Sequence, residues 1–236
     1  MRGPLVRWMV SLKASFSSLR HDDVEWTRDE LGEGLRQIGE DVHLLTEHIE
    51  NLLSLAQLES GAARPQRDWV ALEEVVELAT RLVKEAEYRR IAVSTDDRFL
   101  VRVDQIQVAQ VLRHLLENAL AYSPGEVRLD VGVCDAGLRF CVEDGGSGVP
   151  PEERQQIFLK LYRGQAATSS VRGTGLGLSI CREIVAAHAG SIAVDGSPSL
   201  GGARFTVTIP SAVAEAGLPL EGDVSGLALE KTPVAA

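Results

Sequence analysis

Cysteine is scarce and unpatterned in this 236-residue chain. Cys134, Cys141 and Cys181 are odd in number, lack CxxC spacing and lie in apolar-patterned segments. Neither a disulfide framework nor a zinc site is indicated, and buried reduced thiols are expected. Long apolar runs are also missing. Nothing approaches the roughly 20 residues that a bilayer-spanning helix needs, and the opening MRGPLVRWMVSLKASF is broken by Arg7, Ser11 and Lys13 before a signal-peptide core can form. The expectation is a cytoplasmic protein without a membrane segment. Positive charge is short too: 24 Lys plus Arg stand against 34 Asp plus Glu, a formal net charge of −10, so no basic face for nucleic acid is expected. What remains, 44% hydrophobic and 25% charged, suits one or two globular domains with a real core.

The first 60 residues are helical in pattern. Leu5, Met9, Leu12, Phe16 and Leu19 recur at spacings of four and three, with Pro4 where a first turn tolerates it. After His21, Asp22 and Asp23, the run Thr27-Arg28-Asp29-Glu30 has capping-box form. Leu31, Leu35, Ile38, Val42, Leu45, Ile49, Leu52 and Ala56 then continue the rhythm in a second helix roughly 45 Å long, closed by Gly61 and Pro65. A two-helix hairpin cannot bury one apolar seam alone. A second copy would complete a four-helix bundle, so homodimerisation through residues 1–61 is expected, the alternative being packing on the same chain.

From about residue 67 the pattern is mixed. Short strands are predicted at Asp68–Leu72, Ile91–Val93 and Phe99–Val103, with helices over Glu73–Tyr88, Gln105–Ala121 and Leu176–His188. Val127, Leu129, Val131 and Val133, then Leu138, Phe140 and Val142, alternate as adjacent strands around an Asp135-Ala136-Gly137 turn, and Ser191–Val194 and Ala203–Ile209 complete the set. The segment 62–210 is thus one α/β domain. Residues 211–236, rich in Ala, Gly, Glu and Pro without periodicity, are expected to form a disordered tail.

Three constellations carry chemistry. Asn118, in Leu115-Leu116-Glu117-Asn118-Ala119-Leu120, is polar within an apolar helical stretch; its amide oxygen suits Mg²⁺, although an Asn that only hydrogen-bonds a loop explains it as well. Asp144 ends a strand and is followed by Gly145, Gly146 and Gly148, so it can accept from an amino group on a flat ring while glycine lets backbone approach. Gly173-Thr174-Gly175-Leu176-Gly177-Leu178-Ser179 opens a helix and reads as an anion cradle or as an ordinary strand-to-helix connection. It lacks the Gly-Lys-Ser/Thr of a Walker A loop and the distal acid of a dinucleotide site.

In this order, with Ile157-Phe158 between the second and third, the motifs resemble the N, G1, F and G2 boxes of the histidine-kinase ATP-binding domain, within the gyrase, Hsp90, histidine kinase and MutL (GHKL) superfamily. SLKASFSSLRHDDVEW and LLSLAQLESGA are similar to the transmitter sequence of KdpD-type potassium-responsive sensor kinases. The resemblance implies an α+β protein: a dimerisation and histidine-phosphotransfer hairpin, then a Bergerat-type α/β sandwich that binds ATP and Mg²⁺. By the same resemblance Asn118 would hold Mg²⁺ and Asp144 would accept from the adenine amino group. Gly146 and Gly148 would admit the nucleotide, and Gly173, Thr174, Gly175, Leu176, Gly177 and Leu178 would wrap the phosphates. Tyr122 and Arg163 occupy positions that in the family can contact nucleotide or phosphate, although a solvated charge explains Arg163 equally. No catalytic residue is assigned with the acceptor His absent, Glu117 being a candidate only, and residues 164–172 would form a lid. The partners implied are a second copy and the receiver domain of a response regulator in a two-component phosphorelay.

Departures from the family pattern are specific. His114 replaces the first Asn of the N box and Ala121 a frequent Lys. Each lost charged hydrogen bond is worth about 1.5–3 kcal/mol, or roughly 10- to 150-fold in affinity. Leu161 replaces the second Phe of the F box, a mild packing change. Met1-Arg2-Gly3-Pro4-Leu5 aligns with the Leu-Arg-Thr-Pro-Leu that follows the acceptor His, so the implied acceptor lies before Met1, and Gly3 replaces the residue that supports phosphatase activity. His21, His43, His48 and His188 read as surface or packing residues. Two other activities compete with a kinase transmitter: a catalytically silent nucleotide-binding module, and a gyrase- or Hsp90-like ATPase, whose Glu base would fall where His114 stands.

Overall fold

The computed structural model describes residues 27–61, 63–81, 83, 88, 90–96, 98–164 and 175–216. The expected first helix of the hairpin therefore lies outside the described residues. The second is α1, Arg28–Glu59, and it begins as its sequence dictates: Thr27 Oγ1 accepts from the Glu30 amide, and the Glu30 carboxylate accepts from the Thr27 amide at 2.9 Å. One flank of α1 packs on the domain through Leu55, and Ser54 Oγ accepts from Gln110 Nε2. Leu31, Leu35, Val42, Ile49 and Leu52 of the heptad stripe, with Leu53 beside them, stay exposed.

The α/β domain pairs a five-stranded sheet with a smaller three-stranded one. β1 (Asp68–Ala71) hands over to α2 (Leu72–Thr80), where Ala71 keeps extended backbone as the cap, so the predicted strand stops one residue early. Next come β2 (Ile91–Thr95), β3 (Phe99–Val103), α3 (Gln105–Tyr122), β4 (Val127–Cys134) and β5 (Gly137–Asp144). A 3-10 turn at Gln156–Phe158, α4 (Gly177–Ala187), β6 (Ser191–Gly196), β7 (Ala203–Pro210) and β8 (Val213–Glu215) complete the order. The larger sheet runs β2-β4-β5-β7-β6, parallel only at β2–β4. On β5, Leu138, Phe140, Val142 and Asp144 face inward, and α3 and α4 cover them with Leu112, Leu115, Leu116, Ile180 and Ile184, all fully buried. The expected sandwich, a mixed sheet roofed by helices, is the observed one.

Asp104 fixes the start of α3 twice, its Oδ1 accepting from the Gln107 amide at 3.0 Å and its Oδ2 from the Gln66 amide at 2.8 Å. Ser123 and Pro124 end that helix, and the Arg90 guanidinium donates to the carbonyls of Ser123 and Gly125.

The expected disordered tail is corrected at its beginning. Ser211 Oγ accepts from the Leu138 amide at 3.1 Å, and Val213–Glu215 add to the edge of β3 as an antiparallel strand. The three-residue strand has no periodicity for a sequence pattern to detect; its stability comes from β3's open edge. Ending the chain after Ala212 should lower unfolding stability by about 1–3 kcal/mol, or about 2–10 °C in Tm, relative to a chain ending after Ala216. Equal thermal midpoints for the two would show that β8 contributes nothing.

Candidate functional site

Two ends of secondary structure converge where β5 stops. Asp144 is 3% exposed, and its Oδ1 accepts from the amides of Gly146 at 2.8 Å and Ala203 at 3.2 Å. Its Oδ2 takes no hydrogen bond among the described residues, which leaves an acceptor for a donor arriving from outside. Burial pushes the carboxyl above the ordinary aspartate range, and the two amides only partly oppose this.

The backbone around this carboxylate is close enough to demand glycine. A β-carbon on Gly146 would lie 2.5 Å from the Tyr122 carbonyl oxygen, and one on Gly202 would collide with Asp144 Oδ1 and the Gly146 amide. Ser123, buried, ties the end of α3 to the turn, its Oγ accepting from the Gly145 amide at 3.2 Å. Ser123, Gly202 and Ala203 thus belong to the site although the motif reading passed over them. The Gly201-Gly202 pair between two strand patterns was the available signal.

On α3, Asn118 and Tyr122 are half-buried one turn apart, and the Asn118 side chain makes no hydrogen bond among the described residues. Glu117 pairs with Arg113 at 3.4 Å, and the same carboxylate stands 3.4 Å from His114 Nδ1. His114 is buried and lies against the first residue of α4: a β-carbon on Gly177 would be 3.4 Å from its Nδ1. Among the described residues no side chain caps α4, and the amides of its first turn carry the positive end of the helix dipole.

Gly175, at φ +70°, accepts from the Leu161 amide at 2.9 Å, and Leu176 is buried behind it. Leu178 is half-buried on the first turn of α4 and Gly148 takes φ +73°. Arg163 is exposed at the edge of the connection to α4. Gly173, Thr174 and all but the first residue of the expected lid lie outside the described residues. Phe158 packs edge-on against Phe205, centroids 6.4 Å apart, whereas Leu161 is exposed and in left-handed backbone, so its replacement of Phe removes no core contact.

Among the described histidines, His48, His114 and His188 are buried; burial also lowers the pKa of His188, a packing residue on the Ile184 carbonyl. The cysteines are all free: Cys181 is buried as expected, but Cys134 and Cys141 are only half-buried because they lie on outer or terminal positions of the sheet.

Residues 103–213 match the family described as histidine kinase-, DNA gyrase B-, and HSP90-like ATPase. The sensor protein KdpD of Escherichia coli (strain K12) is 39% identical over 172 residues, covering 72% of this chain and 19% of KdpD. KdpD of Clostridium acetobutylicum is 35% identical over 178 residues, 73% of this chain and 20% of that protein. This chain therefore spans about a fifth of the length of these relatives. Among solved structures, full-length ShkA in complex with AMPPNP superposes with a TM-score of 0.64 at 25% identity, covering 91% of this chain and 46% of ShkA.

The raised Asp144 pKa has a sign that can be measured. The native state binds this proton more tightly than the unfolded chain, so wild-type stability falls, relative to a non-titrating side chain, as pH rises through and above the unfolded value of about 4. Asp144→Asn keeps the acceptor for both amides. Its urea midpoint should gain on wild type between about pH 4 and pH 7; a gap moving the other way would refute burial as the dominant influence on this group. The buried, glycine-lined carboxylate, the α3 face and the start of α4 all lie within residues 103–213, a domain of the histidine kinase-, DNA gyrase B-, and HSP90-like ATPase family.

Proposed function

We propose that the chain binds Mg²⁺·ATP and donates the γ-phosphoryl group to a histidine, from which it passes to an aspartate on the receiver domain of a response regulator. The single observation behind this reading is the Asp144 carboxylate, fixed through Oδ1 and open at Oδ2, which suits recognition of an amino-bearing purine. Asp144 accepts from the adenine amino group. Gly146 and Gly148 admit the ring beside Tyr122, and the amides at the start of α4, with Gly173, Thr174 and Gly175 before them, receive the phosphates. Arg163, at the head of the same connection in sequence, is the proposed phosphate partner.

The residues present fit a hard cation as well: Asn118 offers an amide oxygen uncommitted among the described residues, next in sequence to the Glu117 carboxylate that pairs with Arg113. When bound, Mg²⁺ neutralises charge on the departing phosphoryl group. The chain's own part is to orient the triphosphate against fixed amide dipoles and to keep the purine out of water.

The buried positions of His48, His114 and His188 favour an acceptor outside the described residues, presented in a four-helix bundle. The exposed Leu31, Leu35, Val42, Ile49 and Leu52 supply the seam on which a second copy docks. No helix among the described residues is long and apolar enough to cross a membrane, and the cytoplasm, where ATP is plentiful, is the proposed setting.

Incubation with γ-labelled ATP, Mg²⁺ and a sensor-kinase bundle bearing the acceptor histidine should give an acid-labile phosphoprotein, lost in Asn118→Ala and Asp144→Ala. ATP at about 100 times its Kd should add about 2.7 kcal/mol to stability. Stabilisation without any phosphoprotein would reassign the chain as a silent nucleotide-binding module, and no response to ATP would reject both readings.

A further inference from the structure

Side chains on β5 alternate, so Glu143 projects to the sheet face opposite Asp144. There it lies in register between Arg128 of β4 and Arg204 of β7. A carboxylate at that position would ordinarily be solvated, yet Glu143 is buried beneath the turn joining β6 to β7. Ser197 and Ser199 each donate a hydroxyl to its Oε2 at 2.6 Å. Ser197 Oγ also accepts from the Leu200 amide at 2.9 Å, and the Ser197 amide donates to the Gly202 carbonyl at 2.8 Å.

The same turn then crosses to the other face. The Gly202 amide donates to the Asp144 carbonyl at 3.1 Å, and the next amide, that of Ala203, is one of the two that hold Asp144 Oδ1. The turn therefore straddles the end of β5 and grips adjacent carboxylates on opposite faces.

Resting on the nucleotide reading above, we propose that Glu143, Ser197 and Ser199 form a brace that positions Asp144 and thereby sets the preference for a purine bearing a 6-amino group. Without the two hydroxyls, Glu143 is left as a carboxylate short of donors beneath the turn, and the turn lifts toward water. Ala203 moves with it, Asp144 Oδ1 keeps one amide instead of two, and the carboxylate is free to rotate. Burial alone would push the Glu143 carboxyl up; the two hydroxyls, with Arg204 and Arg128, outweigh that and hold it below the usual glutamate range. Glu143 is thus the charged anchor and the serines are its clasps. These are positioning residues, since none of them faces the purine.

Calorimetric titration of the full chain with Mg²⁺ and either ATP or purine riboside triphosphate, which lacks the amino group, tests this. Wild type should prefer ATP by about tenfold or more, the worth of one hydrogen bond to an ionised acceptor. In Ser197→Ala/Ser199→Ala the preference should fall to about twofold or less, while affinity for purine riboside triphosphate stays within about threefold, because the phosphate contacts are untouched. Ser199→Thr keeps the hydroxyl and should keep the preference, and Ser199→Ala, an exposed change that spares folding, should lie between. Equal losses for both nucleotides, with the preference intact, would overturn the brace and leave the serines structural. No binding of ATP by wild type would instead overturn the nucleotide reading and this inference with it.

Discussion

A carboxylate withdrawn from water at the end of a strand must be met by donors, and in this chain the donors are backbone amides of two turns distant in sequence. The Gly146 amide comes from the turn that follows β5 and the Ala203 amide from the first residue of β7, where the turn after β6 ends. That requirement explains much of the surrounding geometry. Gly146 and Gly202 lack β-carbons because the amides can reach Asp144 only if backbone passes against backbone. Ser123 pins the end of α3 to the same turn, so the helix that carries Asn118 and the strand that carries Asp144 hold a fixed relation.

The helix α3 is the second organising element. Its buried face, Leu112, Leu115, Leu116 and Ala119, fills the space between the sheet, α2 and α4, while His114, Asn118 and Tyr122 follow one another at four-residue spacing toward the end of β5. A single helix thereby couples core packing to the chemistry of the site. The His114 ring stands against Gly177, where α3 meets the start of α4.

Elements with long periodic patterns were legible from sequence: α1 with its capping box, α3, α4 and the alternating strands β4, β5 and β7 agree with expectation to within a residue or two. Asp144, Gly146 and Asn118 stood out as candidates because an acid among glycines and an amide among leucines are exceptions to their surroundings, and the structure places Asp144 and Gly146 in one hydrogen-bonded turn. The rest was hidden for physical reasons. β8 is too short for a pattern and exists because β3 has an edge to offer. Leu72 reads as strand and opens a helix because the boundary is set by Ala71's extended backbone. Ser197 meets Glu143 across 54 residues of sequence and Ser123 meets the Gly145 amide across 22, while Gly202 reaches the Asp144 carbonyl from the turn joining β6 to β7, and no local spacing announces these contacts.

The three thiols sit at graded depth, and this has a practical corollary. Cys134 and Cys141 are half open to solvent, while Cys181 is sealed between α4 and α3, its Sγ 3.7 Å from the Val111 carbonyl and its acidity suppressed first of all by burial. Alkylating reagents will therefore label the sheet cysteines in the native protein and reach Cys181 only when the helical layer comes away from its neighbours. The molecule carries its own clock for that separation, readable by mass spectrometry without any engineered label.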